Sequence, residues 1–75
     1  MTVTVIAGDW VRRYIPVEQM EIILPDGFAV NGLLGWLDIP ANEIGIIAVN
    51  GKAVRREDTL RDGDRVKLFP VIIGG

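Results

Sequence analysis

Between Ala29 and Leu37 the apolar period of the chain changes, and that change limits the possible folds more than any other feature. Val30, Leu33, Leu34 and Leu37 fall at i, i+3, i+4 and i+7, which puts four apolar side chains on one face of a helix about two turns long. Gly32 and Gly35 interrupt it, each costing roughly 1 kcal/mol relative to Ala. A helix this short and this rich in glycine does not persist alone, so it must lie on a sheet that supplies its stability. Close approach to that sheet is the expected reason for the two glycines. Ile39-Pro40 stops the helix.

The sheet has to come from the flanking segments, which carry the period of two that half-buried strands require. From Thr2 to Ala7, Val3, Val5 and Ala7 share one face, while Thr2, Thr4 and Ile6 share the other. Trp10 to Pro16 reads as a turn or loose strand, because Pro16 lacks an N–H and pushes Ile15 into an extended conformation. Met20 to Leu24 follows with Met20, Ile22 and Leu24 inward and Glu21 and Ile23 outward. Pro25-Asp26-Gly27 closes it as a turn. Ile44 to Val49 is a third apolar run, and Asn50-Gly51 after it is a strong hairpin signal, since both residues accept positive φ. Lys52 to Arg55 returns as a short strand. Arg56 to Leu60 is a polar connector anchored by Leu60, and Asp62-Gly63-Asp64 is a second turn. Arg65 to Phe69 alternates again, with Val66 and Leu68 inward and Lys67 and Phe69 outward, and Pro70 is expected to end the pairing.

Seventy-five residues make one domain, and a chain of that size buries only about 60–65% of its unfolded surface, so there is room for one core. No apolar run approaches a membrane span, and no basic region followed by an apolar one opens the chain, so a cytoplasmic location is expected. The absence of Cys and His removes disulfides, thiolate nucleophiles and the usual zinc and iron–sulfur sites, so no metal is expected. A net charge of −2 argues against a dedicated nucleic-acid binder. The basic pairs Arg12-Arg13 and Arg55-Arg56 read as solvated surface. Nothing clusters as nucleophile and base.

The chain ends Pro70-Val71-Ile72-Ile73-Gly74-Gly75. Two terminal glycines have no packing use, since they bury almost nothing and lose the most backbone entropy if ordered. They do offer a thin carboxylate that can thread a narrow channel without a Cβ clashing on the way. A plain flexible tail, or a chain cut at a linker, would end the same way.

The order strand, strand, helix, strand, strand, strand is compatible with a mixed sheet grasping one helix, with the first and last strands paired centrally in parallel. The run Ile47-Ala48-Val49-Asn50-Gly51-Lys52, then Leu60-Arg61-Asp62-Gly63-Asp64-Arg65-Val66-Lys67-Leu68-Phe69-Pro70, then Gly74-Gly75, resembles the ubiquitin-like sulfur carriers of the ThiS and MoaD group. That resemblance covers nearly the whole chain. It implies an α+β fold of the ubiquitin-like β-grasp type over residues 1–69, a mixed sheet of four to five strands on one short helix, and a flexible tail over 70–75.

It also implies a protein co-substrate rather than an enzyme, with a possible place as the small subunit of a synthase. In the family an E1-like adenylating partner uses ATP and Mg to activate the terminal carboxylate, here Gly75, as an acyl-adenylate. A sulfur donor, typically a cysteine desulfurase persulfide, then converts it to a thiocarboxylate that serves a recipient synthase. No bound cofactor, nucleic acid or membrane is implied. Gly74 would supply steric clearance. Length and the Leu68-Phe69-Pro70 ending favour molybdopterin or tungstopterin synthesis over the thiamine thiazole. Against the molybdopterin type stand Val71, Ile72 and Ile73, where its members often carry a second proline and a small residue.

Partner recognition is expected from apolar groups that the core cannot absorb: Ile23 and Phe69 by alternation, and Val71, Ile72 and Ile73 beyond Pro70. Arg65 and Lys67 beside the tail could pair with acidic partner residues. Phe69 as a rim residue, Val71 to Ile73 as an edge strand, and the two cations as a solvated face are the structural alternatives. Two other functions fit the same pattern: a ubiquitin-like modifier joined to lysines through Gly75, and a β-grasp interaction or RNA-associated domain that ignores the tail.

Overall fold

The computed structural model describes residues 1–6 and 18–71. The helix forms over Val30–Trp36 (α1) and buries Val30, Leu33 and Leu34, three of the four residues that set its period; Leu37 packs partly against the same core. Five strands surround it in sequence: β1 (Thr2–Ile6), β2 (Gln19–Ile23), β3 (Ile44–Val49), β4 (Lys52–Val54) and β5 (Arg65–Pro70), with a 3-10 turn at Ala41–Glu43 ahead of β3. They make one sheet in the order β2-β1-β5-β3-β4. The central pair, β1 with β5, is parallel, with Val5 opposite Val66, and every other pair is antiparallel. This is the β-grasp arrangement, with five strands where four to five were expected.

The core lies between the sheet and α1. Val3 and Val5 of β1, Ile22 of β2, Ile44 and Ile47 of β3, and Val66 and Leu68 of β5 are buried together with the helix residues, Leu24, Ile39 and Leu60. In β1, β2 and β5 alternation places the residues between these on the opposite face. Because Leu33 is fully buried, truncating it to Ala should cost about 2–5 kcal/mol, a large part of what a domain of this size possesses.

A seven-residue helix with Ala29 at its start has no side-chain cap. Its first N–H groups are met from elsewhere: Val30 donates to the carbonyl of Asp58 and Asn31 to that of Arg56, both at 2.8 Å. Leu60 donates back to the carbonyl of Phe28 at 2.9 Å. The polar connector between β4 and β5 therefore serves as the cap, satisfying donors that would otherwise be orphaned. At the other end Asp38 takes the left-handed conformation (φ 56°), and Ile39 N–H reaches the Leu34 carbonyl at 2.9 Å.

The hairpin turn at Asn50-Gly51 has positive φ at both residues, 53° and 85°, as the dipeptide predicts. Asn50 also joins this turn to the one before β5. Its Nδ2 donates to Oδ1 of Asp64 at 2.9 Å, and its Oδ1 accepts the N–H of Arg65 at 2.9 Å. Asp64 is the buried charged residue among those described, and its Oδ2 accepts the N–H of Arg61 at 2.7 Å.

Three expectations need correction. Gly32 and Gly35 are exposed and do not face the sheet. A Cβ on Gly32 would lie 2.9 Å from Cε2 of Phe28, whereas one on Gly35 would meet nothing within 4 Å. Gly32 thus makes room for the Phe28 ring, which stands edge-on to Trp36 with centroids 5.9 Å apart. Arg56 is not plain solvated surface: its Nη2 donates to the carbonyls of Ile44 (2.6 Å) and Ala41 (3.2 Å). Arg55 is exposed as expected. Pro70 does not end the pairing either, because it still lies opposite Ile44 and Val71 N–H bonds the Glu43 carbonyl at 3.0 Å. Pro lacks a donor, but its neighbour's N–H carries the contact one residue further. Ala7 and the Trp10 to Pro16 stretch, with Arg12-Arg13, lie outside the described residues.

Candidate partner face and tail exit

One face of the sheet carries α1, and the other is open among the described residues. On the open face the strand registers set side chains in rows. Gln19, Ile6, Lys67 and Ala48 stand level across β2, β1, β5 and β3, and the row of Glu21, Thr4 and Arg65 lies beside them. Toward the C-terminal end of β5 the face turns apolar, with Phe69 opposite Ile46. Phe69 is 42% exposed, Ile46 55% and Val71 45%. These three large apolar residues lie where β5 ends and the tail begins, an arrangement that a lone domain gains nothing from and a docking surface uses.

Ile46 was not foreseen from sequence. The run Ile44 to Val49 has no alternation from which to assign faces. A register shift between Ile44 and Ile46 resolves it: the chain bulges at Gly45, so that Gly45 and Ile46 are both exposed between the buried Ile44 and Ile47. A glycine inside a strand pattern was the available signal.

Ile23 is 77% exposed on the same face, but it does not join the patch. It pairs with Thr2, while the register of β1 on β5 places Phe69 beyond the far end of β1. Six residues along the strands separate the two levels, roughly 20 Å at about 3.3 Å per residue. Arg65 and Lys67 project from β5 between these ends and line a shallow depression of about 530 Å³ with Ile6, Asn50 and Gly51. The structure thus brings Phe69, Val71, Lys67 and Arg65 onto one strand and its exit, adds Ile46, and leaves Ile23 apart. Ile72, Ile73, Gly74 and Gly75 lie outside the described residues. Among the described residues no group of three or more His, Cys, Asp or Glu could hold a metal ion, and no helix is long and apolar enough to cross a membrane.

The model of the ThiS family matches residues 9–75. Among solved structures, a Pyrococcus furiosus protein assigned as molybdopterin converting factor, subunit 1, is similar over 96% of this chain and 99% of its own, with a TM-score of 0.82 and 29% identity. Small archaeal modifier protein 1 of Haloferax volcanii is similar with a TM-score of 0.76 in two structures. In one, the match covers 100% of both chains at 16% identity; in the other, 95% of this chain and 98% of that one at 18%. At those identities the likeness to the modifier is one of fold.

Proposed function

Since the chain belongs to the ThiS family, we propose that it is a sulfur carrier whose Gly75 carboxylate is adenylated by an E1-like partner and then converted to a thiocarboxylate. A carboxylate is a poor electrophile until one of its oxygens carries a good leaving group. In the first step that oxygen attacks the α-phosphorus of ATP and pyrophosphate departs, with Mg on the nucleotide. In the second, a sulfur nucleophile attacks the acyl carbon and AMP departs with one carboxylate oxygen. With a persulfide donor the product is an acyl disulfide, and a second thiol cleaves its S–S bond to release the thiocarboxylate and a new disulfide. The carrier has no cysteine, so each of these thiols belongs to a partner.

Its own residues contribute recognition and delivery. Phe69, Ile46 and Val71 form the apolar centre of the docking face. Arg65 and Lys67 provide a cationic rim for acidic partner residues. Ile72 and Ile73 extend the apolar contact into the partner, and Gly74 gives Gly75 clearance to reach the nucleotide. Ile23 lies outside this footprint. The single observation that carries the reading is the convergence of the apolar patch on the exit of a chain that ends in Gly-Gly.

Of the possible recipients we favour a molybdopterin or tungstopterin synthase, in which the carrier would sit as small subunit, over a thiazole synthase. The description and full-length similarity of the Pyrococcus relative support that choice. ATP-dependent pyrophosphate exchange with the cognate activating enzyme tests the proposal. Exchange with the full chain and none after removal of Gly74 and Gly75 is expected; exchange that survives the deletion, or never occurs, refutes it. If Gly75 instead forms amide bonds to lysines of other proteins, the product is a ladder of conjugates rather than a thiocarboxylate.

A further inference from the structure

Gly45 occupies a place that no side chain fits. Positive φ among the described residues is found at Asp38, Asn50, Gly27, Gly51 and Gly63, so Gly45 is not required for its backbone conformation. Space is the reason. A Cβ at this position would lie 2.8 Å from the carbonyl oxygen of Pro70 and 3.1 Å from Cα of Val71. Both are backbone atoms, which cannot swing aside as the end of a flexible side chain can. The bulge in β3 therefore lets the last residues of β5 lie directly against it.

Two further contacts hold the same spot. Val71 N–H donates to the Glu43 carbonyl at 3.0 Å. The Ala41–Ile44 segment that presents this carbonyl is tied down by Arg56, whose Nη2 bonds the carbonyls of Ala41 and Ile44 on either side of it. Both bonds come from the one nitrogen, whose two N–H groups tie the segment at two points. Of the three, Gly45 alone had a signal in the sequence, a glycine inside a strand pattern, and none of them is among the buried apolar residues of the core.

We propose that Gly45, the Glu43 carbonyl and Arg56 form a cradle that fixes the direction in which the chain leaves Val71, making Gly45 and Arg56 positioning residues for activation of Gly75. This rests on the sulfur-carrier reading. Four residues follow Val71, and whatever path they take they span at most about 14 Å. A swing of about 30° at Val71 would move the far end by roughly 7 Å, well beyond the ~1 Å misplacement that already costs a reacting group about a hundredfold. Phe69 and Ile46 lie ahead of Val71 and still hold the domain on its partner, so a misdirected exit lowers kcat by more than it raises KM through the contacts of Ile72 and Ile73.

The test compares Gly45→Ala with Gly35→Ala, the same change at a glycine whose Cβ would meet nothing within 4 Å. In the full chain, amide exchange by NMR should show Val71 at least roughly tenfold less protected in Gly45→Ala, with Val5 and Val66 unchanged. Pyrophosphate exchange should then lose about tenfold or more in kcat, with any rise in KM smaller than that loss. Gly35→Ala should leave both readouts as in the parent. Val71→Pro removes the N–H donor while leaving β3 intact and should give the same kcat loss relative to Val71→Ala, which loses the docking side chain but keeps the N–H; that pair keeps the test decisive if Gly45→Ala folds poorly. Unaltered Val71 protection in Gly45→Ala overturns the proposal, as does lost protection with kcat within about twofold of the parent. If the parent chain itself supports no exchange, the sulfur-carrier reading falls, and the aiming role of the cradle falls with it; the Val71 amide still decides separately whether Gly45 holds the exit in place.

Discussion

Phe69→Ala and Ile23→Ala separate position from exposure as the determinant of partner binding. A phenylalanine buries about 150–250 Å², and Phe69 is 42% exposed, so roughly 60–100 Å² remains to be covered by a partner. At about 25 cal/mol per Å² that is worth about 1.5–2.5 kcal/mol, or roughly a 10- to 60-fold change in Kd. Ile23 exposes more of itself, 77%, and on exposure alone it should matter more. Its level on the sheet, opposite Thr2, puts it some six residues away from the tail exit, so its truncation should change Kd by less than about twofold. Ile46→Ala, opposite Phe69, should behave like Phe69→Ala. Isothermal titration of each variant into the cognate activating enzyme measures this, with thermal melts confirming that each remains folded. Equal losses at Ile23 and Phe69, or an undiminished affinity in Phe69→Ala, would refute the footprint.

Other outcomes follow from the same contacts. Gly35→Ala should stabilise the domain by up to about 1 kcal/mol in urea unfolding, because the added Cβ meets nothing. Gly32→Ala should gain less or nothing, since its Cβ displaces the Phe28 ring from Trp36. Asp64→Ala removes the acceptors of the Asn50 side chain and of the Arg61 N–H, and should cost about 2–3 kcal/mol and lower Tm by roughly 10–20 °C. A stability loss below about 0.5 kcal/mol would show that this tie between the two turns is unimportant. Gly75→Phe should abolish loading by the activating enzyme in a pyrophosphate-exchange assay without altering Tm; normal loading would contradict a narrow steric corridor.

The parts of the fold that could be read from sequence are those set by local periodicity. β1, β2 and β5 alternate because each has one face on the core, so Val3, Val5, Ile22, Val66 and Leu68 could be placed inside and Phe69 and Ile23 outside. The spacing of Val30, Leu33 and Leu34 gave the helix its buried face, and Asn50-Gly51 announced its own turn geometry. Longer-range effects were hidden. Ile46 faces outward because a bulge resets the alternation within an unbroken apolar run. Arg56 looks like any surface cation until the fold brings two carbonyls from a segment twelve to fifteen residues away within reach of its Nη2. The cap of α1 is supplied by backbone carbonyls of a later connector, which no residue type near Ala29 could signal. Likewise the reason for Gly32 is a ring four residues earlier, rather than the sheet.

The chemical state of the last residue decides most directly whether the chain is a sulfur carrier. Intact-mass and fragment-ion analysis of the full chain, purified after co-expression with its cognate activating enzyme and sulfur donor, reads that state. Replacement of one oxygen by one sulfur, confined to the fragment that contains Gly75, is the predicted result. An unmodified carboxylate under conditions in which the activating enzyme is present, folded and supplied with ATP and sulfur would contradict it.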